Sequence, residues 1–201
     1  MHYRLPDAEK GEITSVCIKD FLKVTGTGQH TLSKLVAQSF RARMQEARLR
    51  ISFADRWDEV LPQGEVLLLE PIGNHCRGTT FLNGNHLIND SMRQMFDTIN
   101  HSLTGIYYCR YDMKCESMES LYTGKGIYIV EINGVGADPA HVYDPTYPMR
   151  QIYKDLFAHW QIIYRIACKQ MSRGVRPMTL AEIRQAWVTY QHHHKLAVKK
   201  G

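Results

Sequence analysis

Apolar positions along this chain follow two different periods. Over 149–171, Ile152, Leu156, Trp160, Ile163, Ala167 and Met171 recur every three or four residues, and over 180–197 so do Leu180, Ile183, Trp187, Tyr190, His194 and Ala197. That spacing predicts one stripe on each of two helices. Gly174 and Pro177 mark the joint between them, and Trp160 and Trp187 predict the contact that joins the pair. Leu32, Leu35, Val36, Phe40, Met44 and Ala47 predict an earlier helix capped by Thr31. A further helix is expected over 90–102, with Asp90 as its cap.

Elsewhere the pattern alternates or breaks. Residues 12–24 predict one or two strands, TGTGQ at 25–29 a glycine turn, and VLLLE at 66–70 a short buried strand. The segment GNHCRGTTFLNGNH, 73–86, predicts a loop or a tight hairpin. Two strand-like runs follow, GIYYCRYDM at 105–113 and GIYIVEIN at 126–133, separated by a short polar helix or turn. Alternation sends Arg110 and Asp112 to one face of the first, and Glu131 and Asn133 to one face of the second. If the strands pair and the faces coincide, three oxygen donors and a guanidinium collect together.

Asp112, Glu131 and Asn133 are hard donors, suited to Mg2+ or Mn2+. Such an ion keeps positions open for water and phosphate oxygens, which points to a nucleotide. Arg110 is placed to neutralise charge on a transferred phosphoryl group, and Asn74 and Arg77 can donate to an anion. The plainer reading stays open, because an isolated Asp and a Glu-x-Asn are common at sheet edges.

Composition narrows the field. The 201 residues (23.3 kDa) are 44% hydrophobic and 22% charged, values of a globular chain. The net charge of +5 suits an anionic ligand, but the basic residues are dispersed, so no nucleic acid partner is expected. Five cysteines at irregular spacings predict free thiols in a reducing cytoplasm. No apolar run approaches the ~18 residues of a membrane span. His30, His75, His86, His141 and His159 lack metal-ligand spacing; His141, just past the Asn133 loop, is the one expected to meet substrate. The closing KLAVKKG predicts a solvated basic tail.

CRYDMK at 109–114 followed by IYIVEINGVGADP at 127–139 resembles the closing strands of the ATP-grasp superfamily. VTGTGQHTLSKLV, 24–36, is similar to a segment of the cyanophycin synthetase and bifunctional glutathione synthetase relatives. GNHCRG, 73–78, resembles the N-x-x-R-G segment of the ribosomal-protein glutamate ligase group, and HYRLP the strand after the adenine hinge. The resemblance implies an α+β fold: the C-terminal part of an ATP-grasp fold, mostly antiparallel sheet flanked by helices, with a C-terminal helical pair. It implies a catalytic portion over 1–148 and a helical extension over 149–201.

By the same resemblance Asp112, Glu131 and Asn133 hold magnesium ions on ATP phosphates, and Arg110 and Arg77 are catalytic. Asn74, Lys19, Lys114 and His141 line the substrate and phosphate side. The implied reaction is ATP-driven activation of a carboxylate as an acyl phosphate, followed by attack of an amine. Two departures stand out: Gly136 and Ala137 replace the family's Pro-Gly, and TGTGQ lacks its aspartate. The family's earlier half, with its ATP lysines and phosphate loop, has no counterpart here. The expectation is therefore a fragment or reduced ligase, or alternatively a non-catalytic binding module on a degenerate ATP-grasp fold. Exposed apolar surface where the absent strands would lie makes a homo-oligomer a third expectation.

Overall fold

A computed structural model describes the backbone of residues 1–198 and the side chains through residue 193. The side chains of His194 and Ala197 and the basic run 195–201 lie outside the described side chains. Among the described residues eight strands and seven α-helices follow in chain order: β1 (His2–Tyr3), β2 (Glu12–Ile13), β3 (Cys17–Asp20), β4 (Lys23–Thr25), α1 (Leu32–Gln38), α2 (Phe40–Arg43), α3 (Glu46–Ser52), β5 (Val66–Leu68), β6 (Thr80–Asn83), α4 (Asp90–Ser102), β7 (Tyr108–Cys115), α5 (Ser120–Thr123), β8 (Ile127–Asn133), α6 (Met149–Ser172) and α7 (Leu180–Val198). All strand pairs are antiparallel. One sheet has the order β2-β1-β7-β8, and two ribbons pair β3 with β6 and β4 with β5.

Two apolar cores hold these layers. Leu22, Val24, Leu32, Leu35, Val36, Leu49, Leu61 and Leu69 form the first, between the β4–β5 ribbon and α1–α3. Ile13, Met92, Met95 and Phe96 form the second, with Tyr111, Met113, Leu121 and Ile127 packed against it, so α4 and α5 cover one face of the four-stranded sheet. Among the described residues no helix is long and apolar enough to cross a membrane.

The helix expected from Leu32 through Ala47 is broken at Ser39. That residue is extended (φ −87°, ψ 117°); its N–H closes α1 on Leu35 and Val36, and its Oγ accepts the Ala42 N–H at 3.4 Å to open α2. A serine that can satisfy backbone donors offers the chain this alternative to a continuous helix. Phe40 and Met44, on the predicted apolar stripe, face solvent. Asn89 rather than Asp90 caps α4, accepting the Met92 N–H at 2.9 Å. The segment read as loop or hairpin contains β6.

Helix α6 is pinned to the sheet and the loop after β8 by polar groups. The Tyr108 hydroxyl lies 2.8 Å from His159 Nδ1, both groups buried. Asp155 accepts from Tyr147 at 2.7 Å and Gln151 at 2.8 Å, and lies 3.0 Å from His141 Nε2. The expected Trp160–Trp187 contact does not form: both indoles are exposed, and each packs against an aromatic of its own helix, Phe157 and Tyr190 respectively.

Candidate functional site

The β7–β8 hairpin sets the site. Its register pairs Arg110 with Asn133 and Asp112 with Glu131. Directly opposed residues of an antiparallel pair share a face, so all four project to the same side, away from α4 and α5. The register then shifts by one residue: Met113 pairs with Ile129, and Val130 is the extra residue of a β-bulge. The shift keeps Ile127 and Ile129 toward the helices while Glu131 and Asn133 stay with Asp112.

Asp112 is the hub, with a different cation at each oxygen. Arg110 Nε donates to Oδ1 at 2.9 Å, and Lys19 Nζ, reaching across from β3, donates to Oδ2 at 3.3 Å. The register sets Lys19 beside Phe81 of β6, and Lys19 Nζ lies 5.9 Å from that ring's centroid. The backbone of the 73–78 loop closes on the lysine stem: a Cβ at Gly73 would come within 2.9 Å of Lys19 Cδ. Arg110 also donates to the Asp138 carbonyl at 3.4 Å, and Tyr143 donates to the Asp138 carboxylate at 2.8 Å. That carboxylate raises the Tyr143 pKa. Tyr143, Phe81 and His75 form an aromatic cluster with centroids 5.5 to 6.5 Å apart.

Beside this group opens a cavity of about 580 Å³, lined by Lys19, Arg110, Asp112 and Lys114 and walled by apolar residues including Ile13, Phe81, Met92 and Phe96. An apolar cleft with a few convergent polar groups is the usual form of a small-molecule site. Cys17 also lines it, but burial pushes its thiol up to about 11, so it is no nucleophile at neutral pH.

The sequence candidates divide. Lys19, Arg110, Asp112 and Lys114 meet at the cavity. Glu131 and Asn133 share their face without lining it; Glu131 is exposed, and Asn133 is half-buried with its Nδ2 unpartnered. Asn74 and Arg77 do not line the cavity either. Asn74 Oδ1 accepts the Cys76 N–H at 2.9 Å to cap its own turn, and Arg77 lies 3.5 Å from the buried carboxylate of Glu70. His141, expected to meet substrate, is instead interior: Nδ1 is 2.8 Å from Ser15 Oγ and Nε2 faces Asp155. It joins segments far apart in sequence. Phe81, Asp138 and Tyr143 carry no signal in the sequence; Phe81 lies in the segment expected as a loop or tight hairpin, and the β3–β6 register brings it to Lys19.

Two carboxylates and a carboxamide on one face are a fitting donor set for Mg2+ or Mn2+, which accept few protein oxygens and complete their shell with water or phosphate. Asn133 is half-buried on that face, where its Oδ1 is the atom that would meet a cation, and its buried Nδ2 has no protein partner. Among the described residues no group of three or more His, Cys, Asp or Glu side chains is placed to hold a metal ion.

The architecture is an α+β, ATP-grasp-like fold. One solved structure that shares it is a bifunctional glutathione synthetase from Pasteurella multocida, at a TM-score of 0.51 and 13% sequence identity. The match covers 80% of this chain and 24% of that one, so the chain spans about a quarter of its neighbour's length. At this identity the likeness is one of fold. No protein-family model matches the sequence, and no curated protein does.

Proposed function

We propose that this chain carries the metal- and phosphate-facing strands of an ATP-dependent carboxylate–amine ligase. The observation that carries the reading is the β7–β8 register, which sets Asp112 against Glu131 and Arg110 against Asn133 on one face. The ATP-grasp-like fold supports it. In such a reaction a carboxylate oxygen attacks the γ-phosphorus of ATP and ADP leaves. An amine then attacks the acyl carbon, phosphate leaves, and the amine loses a proton.

Asp112, Glu131 and Asn133 are the residues that would hold Mg2+ or Mn2+. When bound, that ion neutralises charge on the phosphates. Arg110, oriented by Asp112 Oδ1 and the Asp138 carbonyl, offers a guanidinium toward developing phosphoryl charge at little reorganisation cost. Lys19 and Lys114 supply point charges for phosphate oxygens. The apolar walls exclude water, which would otherwise hydrolyse an activated acyl group.

The test is paramagnetic broadening by Mn2+ in NMR spectra of the whole chain. The amides of 110–114 and 131–133 should broaden in the wild type and stay sharp in Asp112→Asn and Glu131→Gln. A wild-type spectrum untouched at this hairpin overturns the metal assignment.

A second reading, a non-catalytic binding module, is favoured by one observation: both Asp112 oxygens are already paired with Lys19 and Arg110. Calorimetry with Mg-ATP separates the two. Heat of binding that vanishes in Asp112→Asn argues for the ligase site. No heat, together with no Mn2+ broadening, argues for the module.

A further inference from the structure

Helix α6 is apolar on two sides. The inner side meets the body through the buried His159 and the half-buried Ile152, Leu156 and Ile163. The outer side carries Tyr153, Phe157, Trp160, Tyr164 and Met171, each 53% to 70% exposed. With the exposed Ala167 between the last two, these positions step by 4, 3, 4, 3 and 4 residues, the spacing of a coiled-coil seam. Helix α7 repeats the device: Leu180, Ile183, Trp187 and Tyr190 step by 3, 4 and 3 and are 50% to 86% exposed. An apolar arc this wide calls for more cover than the body gives it, and among the described residues these large side chains stand half or more exposed.

We propose that the outer faces of α6 and α7 form a self-association surface, occupied by the same faces of a second copy of this chain. A seam of this spacing needs a facing helix with the same spacing, because each knob fills a hole made by four residues of its partner. Every copy supplies two such helices. The area suffices: these nine exposed side chains retain roughly 90 Å² each, so about 800 Å² per copy and about 1,600 Å² per pair, the size of a standard stable interface. Charge permits it as well. At 100° per residue the cations Arg150, Lys154 and Arg165 fall on the sector beside the α6 seam, so two seams can meet while these charges stay in water. None of the nine side chains lines the cavity, so this inference stands apart from the ligase reading.

The test is the mass of the full chain by light scattering, at concentrations up to ~100 µM, a range that brackets interfaces of this size. The wild type should weigh as a dimer. Phe157→Glu and Trp187→Glu, both at exposed positions, should keep their far-UV circular dichroism and weaken the dimer by roughly 100-fold or more. Where either loses helicity, Tyr164→Lys replaces it. A wild-type monomer throughout the range overturns the proposal, whether the seams then close on each other within one chain or stay open. A dimer that survives the substitutions overturns it too. So does a monomer that co-sediments with phosphatidylcholine vesicles containing phosphatidylglycerol, which assigns the seams to an anionic lipid surface.

Discussion

Asp112 and Glu131 stand directly opposite each other across the β7–β8 ladder. Facing carboxylates repel by a few tenths of a kcal/mol to about 1 kcal/mol. Asp112 is neutralised by Arg110 and Lys19, whereas Glu131 has no ion pair among the described residues. A divalent cation between them would serve both. For a Kd near 1 mM, ~10 mM Mn2+ adds about 1.4 kcal/mol of stability. Scanning calorimetry should show the wild-type transition rise with Mn2+ and that of Glu131→Gln stay where it is in chelator; equal rises in both chains would remove Glu131 from the site.

Acid should weaken the hold of α6 on the sheet. Burial lowers the His159 pKa from 6.5 to about 4. Because the folded value lies below the unfolded one, the unfolded chain binds more protons in this window. The contribution is complete above pH 6.5 and is lost as pH falls toward 4. Burial lowers His2 as well, so the wild type carries two such terms. Urea unfolding across this range should show a shallower decline for His159→Gln, which keeps an acceptor for Tyr108. Parallel curves would mean that His159 takes up its proton equally well in both states.

Glu70 is a carboxylate only 2% exposed, held by Arg48 Nη1 at 2.7 Å and by the Ile72 N–H at 3.0 Å, with Arg77 at 3.5 Å. Arg48 is 35% exposed and Arg77 stays near the same carboxylate, so removing Arg48 leaves a buried charge only partly compensated, at a cost of about 1–3 kcal/mol. Arg48→Ala should lose that much in denaturant unfolding, and Arg48→Met with Glu70→Gln should recover most of it. Arg77→Ala, at an exposed position, should lose about 1 kcal/mol or less. A larger loss at Arg77 than at Arg48 would reverse the order of importance.

Gly26 sits where the β4–β5 ribbon closes. Its N–H donates to the Glu65 carbonyl at 2.7 Å and its carbonyl accepts from Gly64 at 2.9 Å. A Cβ there would fall 2.1 Å from the Pro62 carbonyl oxygen and 2.8 Å from Leu61 Cβ. The first obstacle is backbone and cannot rotate away. Gly26→Ala should therefore lose about 2–3 kcal/mol, and Gly64→Ala, with nothing near its Cβ, should lose less despite its φ of +82°. Equal melting temperatures for wild type and Gly26→Ala would refute the packing argument.

The parts legible in the sequence were those set by local period. Thr31 caps α1, accepting the Lys34 N–H, and the Arg-x-Asp and Glu-x-Asn strands pair as neighbours because only a short connection separates them. The α6 stripe misled for a physical reason: with apolar residues on both sides, a three-four count runs equally well through Trp160, which faces out, and Leu156, which is half-buried. Ser39 broke a helix whose apolar spacing continued past it. His141 was missed as a structural residue because its partner Ser15 lies 126 residues away. The meeting of Lys19 with Asp112 spans 93 residues, and no local pattern could record it.

Val130 shows how narrowly the hairpin is tuned to insertion and deletion. Cut that single residue and the strand loses its phase slip. Either Glu131 and Asn133 rotate to the helix side, or Ile127 and Ile129 surrender theirs. Point substitution at Val130, which is 67% exposed, is by contrast nearly free. Length, rather than side-chain identity, is what this position contributes to the molecule.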